Sequence, residues 1–302
     1  MANTKLETVL TQWQNLQPLA AIDRDRLSRR FTIDFNYNSN HIEGNTLTYG
    51  QTELLLLFGK IVGEANFRDC EEMKASNVGL QMMLVESSDK QLPLTQNFIR
   101  TLHRTLLRED YTVYRMLPGG VQTSYVIHAG QYKTRPNSVI TRYGDRFEYA
   151  SPEETPALMA DLVDWYNRAE QEGKLSPIDL AILFHYRYIR IHPFEDGNGR
   201  IARLMVNYIL SRHGYPMIVV RSRLKQDYLE ALDAQSLVLC TVNPTNGEKS
   251  TVTATFNNLC SINRLNPAAN GGYEYALKDA KGRLIIEDAV AAGYQNFTKN
   301  AQ

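Results

Sequence analysis

The stretch HPFEDGNGRIAR, residues 192–203, carries more recognisable chemistry than any other part of the chain. It reads as a loop that leads into the N-terminus of a helix, because Gly197 and Gly199 leave the backbone free to turn. Successive N–H groups in such a turn can converge on an anion, and the positive end of the helix dipole favours the same anion. The stretch therefore predicts an anion-binding turn at the start of a helix.

Charged side chains in and beside this turn extend the prediction. Arg200 and Arg203 are three residues apart, so they share one helix face and can reach one polyphosphate. Asp196 stands at the edge of the loop and could hold Mg²⁺, which takes one or two carboxylates together with phosphate oxygens. His192 precedes the turn, where a base could take a proton from an attacking hydroxyl. The pattern combines a base, a metal carboxylate and a phosphate site.

On spacing alone, the same residues are compatible with more than one kind of site. No Lys-Ser/Thr pair follows the glycines, so the turn is not a P-loop, and the helical segment before it does not fit a Rossmann unit. His185 and His192 could share a helix face, but no cysteine lies near them in sequence to complete a zinc site. A Gly-x-Gly turn can also be a simple connection, and a single histidine is often structural.

Taken together, residues 192–203 resemble the signature of the Fic family, His-x-Phe-x-Asp/Glu-Gly-Asn-Gly-Arg-x-x-Arg, at every defined position. The resemblance extends over residues 94–240. It implies an all-α fold, a Fic-type helical bundle with a small β-hairpin flap near the active site. It also implies transfer of AMP from ATP to a Ser, Thr or Tyr hydroxyl of a protein.

The resemblance assigns a role to each position of the stretch. It makes His192 the general base, Asp196 the Mg²⁺ ligand and Phe194 a buried anchor that seats the loop. The residues that it assigns to the phosphates of the nucleotide are Gly197, Asn198, Gly199, Arg200 and Arg203. Of the two arginines, Arg203 would hold the γ-phosphate and orient the nucleotide.

Residues 128–150 resemble the family's flap hairpin, which docks the backbone of the target protein. Runs rich in Val, Ile, Thr and Tyr between turn residues predict a hairpin in 111–150 on independent grounds. The resemblance implies that the residues that dock the target are Lys133, Thr134, Val139 and Ile140. Pro136 removes one backbone donor from this segment, so docking would differ in detail.

A second short stretch, SNHIEGN at residues 39–45, resembles the inhibitory helix of the family, Ser/Thr-x-x-x-Glu-Gly/Asn. The resemblance implies an inhibitory helix over about residues 35–46, in which Ser39 and Glu43 are the defining positions and Glu43 pairs with Arg203. A carboxylate bound to that arginine competes directly with a phosphate. Inhibition would occur within one chain, because both stretches belong to it. Some family members with this helix also run the reverse reaction.

We expect three segments along the chain. Residues 1–93 form an N-terminal helical region that contains the inhibitory helix, residues 94–245 form the catalytic Fic domain, and residues 246–302 form a tail with a small β-hairpin. Apolar spacing and capping signals predict helices over 5–30 (broken near Pro18), 31–45, 51–90 (one or two helices), 95–107, 152–165, 177–189, 200–213 and 226–237.

Composition excludes several classes of protein. The chain has 302 residues, and its 33 Lys+Arg balance its 33 Asp+Glu, which argues against a protein that wraps nucleic acid non-specifically. Its three cysteines lie far apart, which argues against a disulfide scaffold and for a reducing compartment. The first twenty residues lack the apolar block of a signal peptide, and the most apolar run, 54–58, is too short for a membrane span. We expect a cytoplasmic protein without a membrane partner.

Several functions are compatible with these features. The first is AMP transfer from ATP, with Mg²⁺, to a target protein that the sequence does not identify. The second is de-AMPylation, or transfer of another nucleotide or phosphate-containing group. The third is a catalytically silent nucleotide-binding module. A regulator that binds DNA through its tail is disfavoured, because basic residues are sparse there and no recognition helix is visible. An apolar face on the N-terminal helix would suit a homodimer.

Overall fold

The computed structural model of the chain describes residues 2–116, 119–140, 146–226 and 228–229, and four strands at 236–242, 249–254, 273–278 and 284–287. Its contacts divide the chain into two units. The helical unit comprises residues 1–137 and 151–225, and the second unit comprises residues 138–150 and 226–302. The expected boundaries near residues 93 and 245 stay predictions.

The helical unit confirms the predicted all-α class. Its helices are α1 (Ala2–Asn15), α2 (Ala21–Ile42), α3 (Tyr49–Phe58), α4 (Phe67–Ser88), α5 (Gln96–Leu107), α6 (Thr155–Glu172), α7 (Pro177–Ile191) and α8 (Asn198–Arg212). One antiparallel hairpin, β1 (Tyr111–Met116) and β2 (Gln122–Ile127), interrupts the helices. None of the described helices combines the length and apolarity needed to cross a bilayer.

Helix α8 forms the centre of the helical unit. Ile201, Ala202, Met205 and Tyr208 have no solvent exposure, and the helix packs against α4 and α7. A helix that is apolar on more than one face is stable only when neighbours cover it on several sides. The stretch 192–203 therefore leads from the end of α7 into the best-buried element of the unit.

The second unit contains two antiparallel sheets. Strands β3 (Ser138–Ile140) and β4 (Arg146–Glu148) form a hairpin in which Val139 lies opposite Phe147. A four-stranded sheet has the order β6-β5-β7-β8, with β5 (Ser236–Val242), β6 (Lys249–Ala254), β7 (Tyr273–Lys278) and β8 (Leu284–Glu287). The runs YEYAL and RLIIE, predicted as a tail hairpin, supply β7 and β8 of this larger sheet.

Helix α2 is longer than its sequence predicts. The Asn-rich run after residue 30 continues the preceding helix rather than forming a separate short piece. Asn36, Asn38 and Asn40 each donate a side-chain hydrogen bond to the carbonyl four residues earlier, at 2.7–2.9 Å. These bonds satisfy amides that otherwise compete with the helix backbone, which is why asparagine is tolerated here.

Three other expectations are wrong in detail. The 111–150 region contains two hairpins, not one. Helix α6 begins at Thr155, because Ser151 caps a preceding turn by accepting a hydrogen bond from the N–H of Glu154. The helix expected over 226–237 does not extend that far, since strand β5 begins at Ser236. The predicted start of α7 is confirmed, with Ser176 as its N-cap and Pro177 at the first position.

Candidate active site

The turn before α8 is closed by the side chain of Asn198. Its Oδ1 accepts a hydrogen bond from the Phe194 N–H at 3.0 Å, and its Nδ2 donates to the Phe194 carbonyl at 2.7 Å. Gly197 has a φ of 75°, a backbone conformation in which a side chain is strained. The first N–H groups of a helix have no intrahelical acceptors, so the start of α8 can bind an anion.

The rings of Phe194 and His103 stack against each other beside the turn before α8. Phe194 is fully buried, and its ring lies 3.7 Å from that of His103 at an interplanar angle of 4°. The Nδ1 of His103 accepts from the Gly130 N–H at 2.9 Å, so its Nε2 carries the hydrogen that faces the Asp196 carbonyl at 3.0 Å. Burial lowers the pKa of His103 to about 4. In the sequence, His103 is only a lone histidine on an apolar helix face, so sequence reasoning missed it.

His192 ends helix α7 in a left-handed conformation, with φ 50° and ψ 61°. Its Nδ1 lies 3.0 Å from Nδ2 of Asn137 and 3.1 Å from Nδ2 of Asn198. Burial and the positive charge of Lys133 lower the pKa of His192 to about 3, against the opposing effect of Asp196. The ring is therefore neutral at physiological pH, which is the form that can accept a proton.

The Asp196 carboxylate is ionised and partly open to solvent. It accepts hydrogen bonds from the Tyr111 hydroxyl at 2.7 Å and the Gly197 N–H at 2.6 Å, and Arg200 approaches to 3.4 Å. Burial by itself would raise the pKa of Asp196, but Arg200 and these two donors together hold it below its ordinary value. The role of Tyr111 is not visible in the sequence, where it reads only as a strand residue.

A divalent ion at this position would depend on Asp196. Across the described residues, no three His, Cys, Asp or Glu side chains gather into a metal cluster. The side chain of Asp196 is 39 % exposed, so it can offer a carboxylate oxygen to an ion that phosphate oxygens also bind. This is the mode in which Mg²⁺ commonly accompanies nucleotides, and the donor set fits it.

Two buried arginines carry donors that have no partner among the described residues. Arg200 and Arg203 are 5 % and 3 % exposed, and the unpartnered atoms are Nε of Arg200 and Nη1 of Arg203. Buried donors are normally satisfied in proteins, so both atoms are available to an acceptor from outside the described residues. Phosphate oxygens beside the turn would satisfy both.

Arg203 contacts Glu43, the partner that the resemblance implies. Nη2 of Arg203 contacts the Glu43 carboxylate at 2.5 Å and the Ser39 carbonyl at 2.9 Å, and its Nε donates to the Ser39 hydroxyl at 3.0 Å. Both partners lie at the end of helix α2. A Cβ at Gly199 would overlap the Glu43 carboxylate, so this glycine permits the close approach of Glu43 to the start of α8.

The four residues that the resemblance assigns to target docking are placed differently from one another. Lys133 is only 3 % exposed, and its ammonium donates to Asn137 and to the Ile191 carbonyl, so its role in docking stays a prediction. Thr134 donates from its N–H and its hydroxyl to Glu195. Val139 is 39 % exposed on β3. Ile140 ends β3, and its side chain lies outside the described residues.

Comparison with known proteins places these features in a family. Residues 93–210 match the model of the Fic/DOC family. Protein adenylyltransferase fic-1 of Caenorhabditis elegans is 29 % identical over 227 residues, which are 75 % of this chain and 40 % of that protein. The Caenorhabditis briggsae protein of the same name is 28 % identical over 212 residues, 70 % of this chain and 38 % of that protein. The chain thus spans about two-fifths of these relatives.

Solved structures agree with the sequence comparison. A Fic domain-containing signaling protein from Bacteroides thetaiotaomicron is 56 % identical, with a TM-score of 0.69 over 76 % of this chain and 80 % of that one. A structure of C. elegans Fic-1 is 26 % identical, with a TM-score of 0.59 over 76 % of this chain and 62 % of that one. The signature residues lie together in one site, and the Bacteroides thetaiotaomicron protein is 56 % identical over 80 % of its length. The chain therefore belongs to the Fic/DOC family.

Proposed function

We propose that the chain is a protein adenylyltransferase, which moves AMP from ATP to a Ser, Thr or Tyr hydroxyl of another protein and is restrained by its own Glu43. The observation that carries the proposal is the half-buried ring of His192, whose pKa is lowered to about 3, beside a helix start with two arginine donors that lack partners among the described residues. The names of the adenylyltransferase relatives support the same reaction. The free, buried thiol of Cys70 is in keeping with a cytoplasmic setting.

Each residue of the site has a task in this reaction. The turn at residues 197–199 and Arg200 bind phosphates, and Arg203 holds the γ-phosphate and so aligns the chain of phosphates. His192 takes the proton of the attacking hydroxyl. The hydroxyl oxygen forms a bond to the α-phosphorus, the bond from that phosphorus to the bridging oxygen breaks, and pyrophosphate leaves. Mg²⁺ held by Asp196 would supply positive charge to the leaving phosphates.

The restraint follows from the contacts of Arg203. A guanidinium that already binds the Glu43 carboxylate and two Ser39 oxygens has fewer donors for a γ-phosphate. Bonds between two charged groups are about twice as strong as neutral ones, so Glu43 is an effective competitor. ATP must displace Glu43 from Arg203 before it can bind productively. Each ~1.4 kcal/mol of free energy in the Glu43–Arg203 pair therefore lowers the activity about tenfold.

The test is incorporation of α-labelled ATP, with Mg²⁺, into the proteins of a cell lysate. Wild type, Glu43→Gly, Arg203→Ala and the double variant are compared at saturating ATP. We expect labelling to rise at least tenfold in Glu43→Gly, because both the arginine and its pocket become available. Arg203→Ala and the double variant should label the lysate proteins equally weakly, because both lack the Arg203 guanidinium that is proposed to bind the γ-phosphate.

Glu109→Gly serves as the matched control, since this acid is exposed in the loop after α5. It should label like wild type. Equal labelling by wild type and Glu43→Gly would contradict the inhibitory role of Glu43. Binding of ATP without labelling in any variant would favour the silent nucleotide-binding module, and release of label from premodified protein would favour de-AMPylation.

A further inference from the structure

The hairpin of β1 and β2 has two different faces. Tyr111, Val113 and Arg115 alternate along β1 and therefore share one face, on which Tyr125 lies opposite Val113. Tyr111, Val113 and Tyr125 are half-buried, whereas the side chains of the other face are exposed. Because the Tyr111 hydroxyl donates to Asp196 at 2.7 Å, the half-buried face extends outward from the active site.

Two arginines meet on the ring of Tyr125, further along this face. The guanidinium carbon of Arg115 lies 5.4 Å from the ring centroid, and that of Arg135 lies 4.3 Å from it. Both arginines are exposed, and among the described residues no carboxylate lies within salt-bridge distance of either. One carboxylate placed close to both would be attracted by two positive charges, and the planar fork of a guanidinium suits it.

The pair of arginines lies within a few residues' length of the active site. Arg135 comes two residues after Lys133, whose N–H donates to the Pro193 carbonyl at 2.8 Å. Arg115 comes four residues after Tyr111 on the same strand. Because an extended chain covers about 3.4 Å per residue, these separations correspond to at most roughly 7 Å and 14 Å along the backbone.

We propose that Arg115 and Arg135 bind an acidic side chain of the target protein. The inference rests on the proposed function, which brings the hydroxyl of the target to His192. An extended target segment covers the distance from that hydroxyl to the arginines in about two to four residues. The two arginines therefore select target segments that carry Asp or Glu about two to four positions from the modified residue.

A nucleic acid fits this surface less well than an acidic protein segment. Bases stack on an open aromatic face, but Tyr125 is half-buried and has two guanidinium groups against its ring. The 33 Lys+Arg of the chain are matched by 33 Asp+Glu, so no general excess of positive charge attracts a polyanion. Charge and exposure together favour a carboxylate of a protein as the occupant.

The test is binding of two dye-labelled peptides, EEEGSGEEE and QQQGSGQQQ, to the full chain, measured by fluorescence anisotropy at low salt. We expect wild type to bind the glutamate peptide about tenfold more tightly than the glutamine peptide, because charge-assisted hydrogen bonds are the stronger ones. Arg115→Gln and Arg135→Gln should each weaken binding of the glutamate peptide, and the double variant should bind both peptides equally. Arg29→Gln removes the same charge at an exposed position of α2 and should bind like wild type.

Charge reversal distinguishes recognition from general attraction. The variant that combines Arg115→Glu and Arg135→Glu should bind the peptide KKKGSGKKK and no longer EEEGSGEEE, with the circular dichroism of wild type. Equal affinity of wild type for the glutamate and glutamine peptides would overturn the proposal. Binding of a thymidine oligonucleotide in place of the glutamate peptide, abolished by the double glutamine substitution, would also overturn it.

The binding measurement needs neither ATP nor turnover, so it separates the docking surface from the proposed transfer. If the glutamate peptide binds through the two arginines but Glu43→Gly with labelled ATP does not modify its serine, the docking surface is supported and the transfer is contradicted. If Glu43→Gly modifies the serines of both peptides at equal rates, the transfer is supported and the selection of acidic segments is contradicted.

Discussion

At the scale of single residues, the site depends on rings and carboxylates whose charge is controlled by their neighbours. Burial and Lys133 lower the pKa of His192, while the charge of Arg200 and hydrogen bonds from Tyr111 and Gly197 lower the pKa of Asp196. These are the protonation states that the proposed base and the proposed metal ligand need. Substitutions at His192 and at Tyr111 test these two roles separately.

Replacing His192 by alanine removes the base but none of the arginines or the turn. In the Glu43→Gly background we expect His192→Ala to lower the rate of labelling by about 10²–10⁴, the usual contribution of a general base. Binding of ATP, measured by calorimetry, should change by less than threefold. A rate equal to that of Glu43→Gly alone would show that His192 is not the base.

The Tyr111 hydroxyl orients the Asp196 carboxylate, while the Tyr111 ring also lies 5.4 Å from the guanidinium of Arg68. Tyr111→Phe keeps the ring and removes only the hydroxyl. In the Glu43→Gly background we expect the Mg²⁺ concentration for half-maximal labelling to rise about tenfold, as for other partners of metal ligands. Tyr114→Phe, on the exposed face of the same strand, is the control and should leave this Mg²⁺ concentration unchanged. An equal Mg²⁺ requirement in both variants would refute the role of Tyr111.

At the scale of elements, the end of α8 is tied to its neighbours by Arg212. The guanidinium bonds to Glu170 on α6 at 2.7 Å and to backbone carbonyls of residues 89, 90 and 92 between α4 and α5. Arg212 is 5 % exposed, so this pair is shielded from water and contributes more than a surface ion pair. The contact holds the helix that begins at the active site.

The pH dependence of this contact can be predicted. Burial alone would raise the pKa of Glu170, but hydrogen bonds from His213, Arg212 and Tyr166 lower it to about 2 from 4.5. A carboxyl with a depressed pKa in the folded state stabilises the fold above pH ~4.5 and loses that contribution as the pH falls toward 2. We therefore expect Glu170→Gln to lower the free energy of unfolding by about 3 kcal/mol at pH 7 and by much less near pH 2.

Urea unfolding of wild type and variant at both pH values measures this difference. Glu172→Gln provides the control, because its pair with Lys174 is exposed and should contribute less than about 1 kcal/mol. A destabilisation by Glu170→Gln that is the same at both pH values would contradict the ionised pair.

At the scale of the whole molecule, three histidines of the helical unit have lowered pKa values: the buried His103 and the half-buried His185 and His192. Burial is the largest cause in each case and lowers the pKa of His103 and His185 to about 4 and that of His192 to about 3. The unfolded chain binds protons at these positions below pH ~6.5, whereas the folded unit does not. Stability is therefore present above pH 6.5 and is lost as the pH falls below it.

We expect each of these histidines to remove about 2 kcal/mol from the free energy of unfolding between pH 7.5 and 5.0. Denaturant unfolding of the helical unit at the two pH values measures the sum. His185→Gln should remove about a third of this loss of stability. Equal stability at both pH values would show that these rings are not neutral.

The homodimer expected from the N-terminal helix stays a prediction; in that helix Val9 is 48 % exposed.

The sequence by itself was sufficient to predict those features of the protein that depend only on residues close together along the chain. The glycine turn, the start of α8 and the spacing of Arg200 and Arg203 are set by local backbone freedom and helix geometry, so they were predictable from residues 192–203. The pairing of Glu43 with Arg203 was predictable from the resemblance. The length of α2 was not, because asparagine side chains find partners within the helix that propensity alone does not indicate.

Only the tertiary structure decided which distant side chains complete the site. His103, Tyr111 and Asn137 contact the stretch 192–203 across 93, 85 and 55 residues of chain, and no local pattern marks them. The inward direction of Lys133 is equally a result of packing, since its segment reads as an exposed hairpin. Sequence sets backbone angles and helix faces over a few residues, whereas the burial and partners of a charged group depend on everything packed around it.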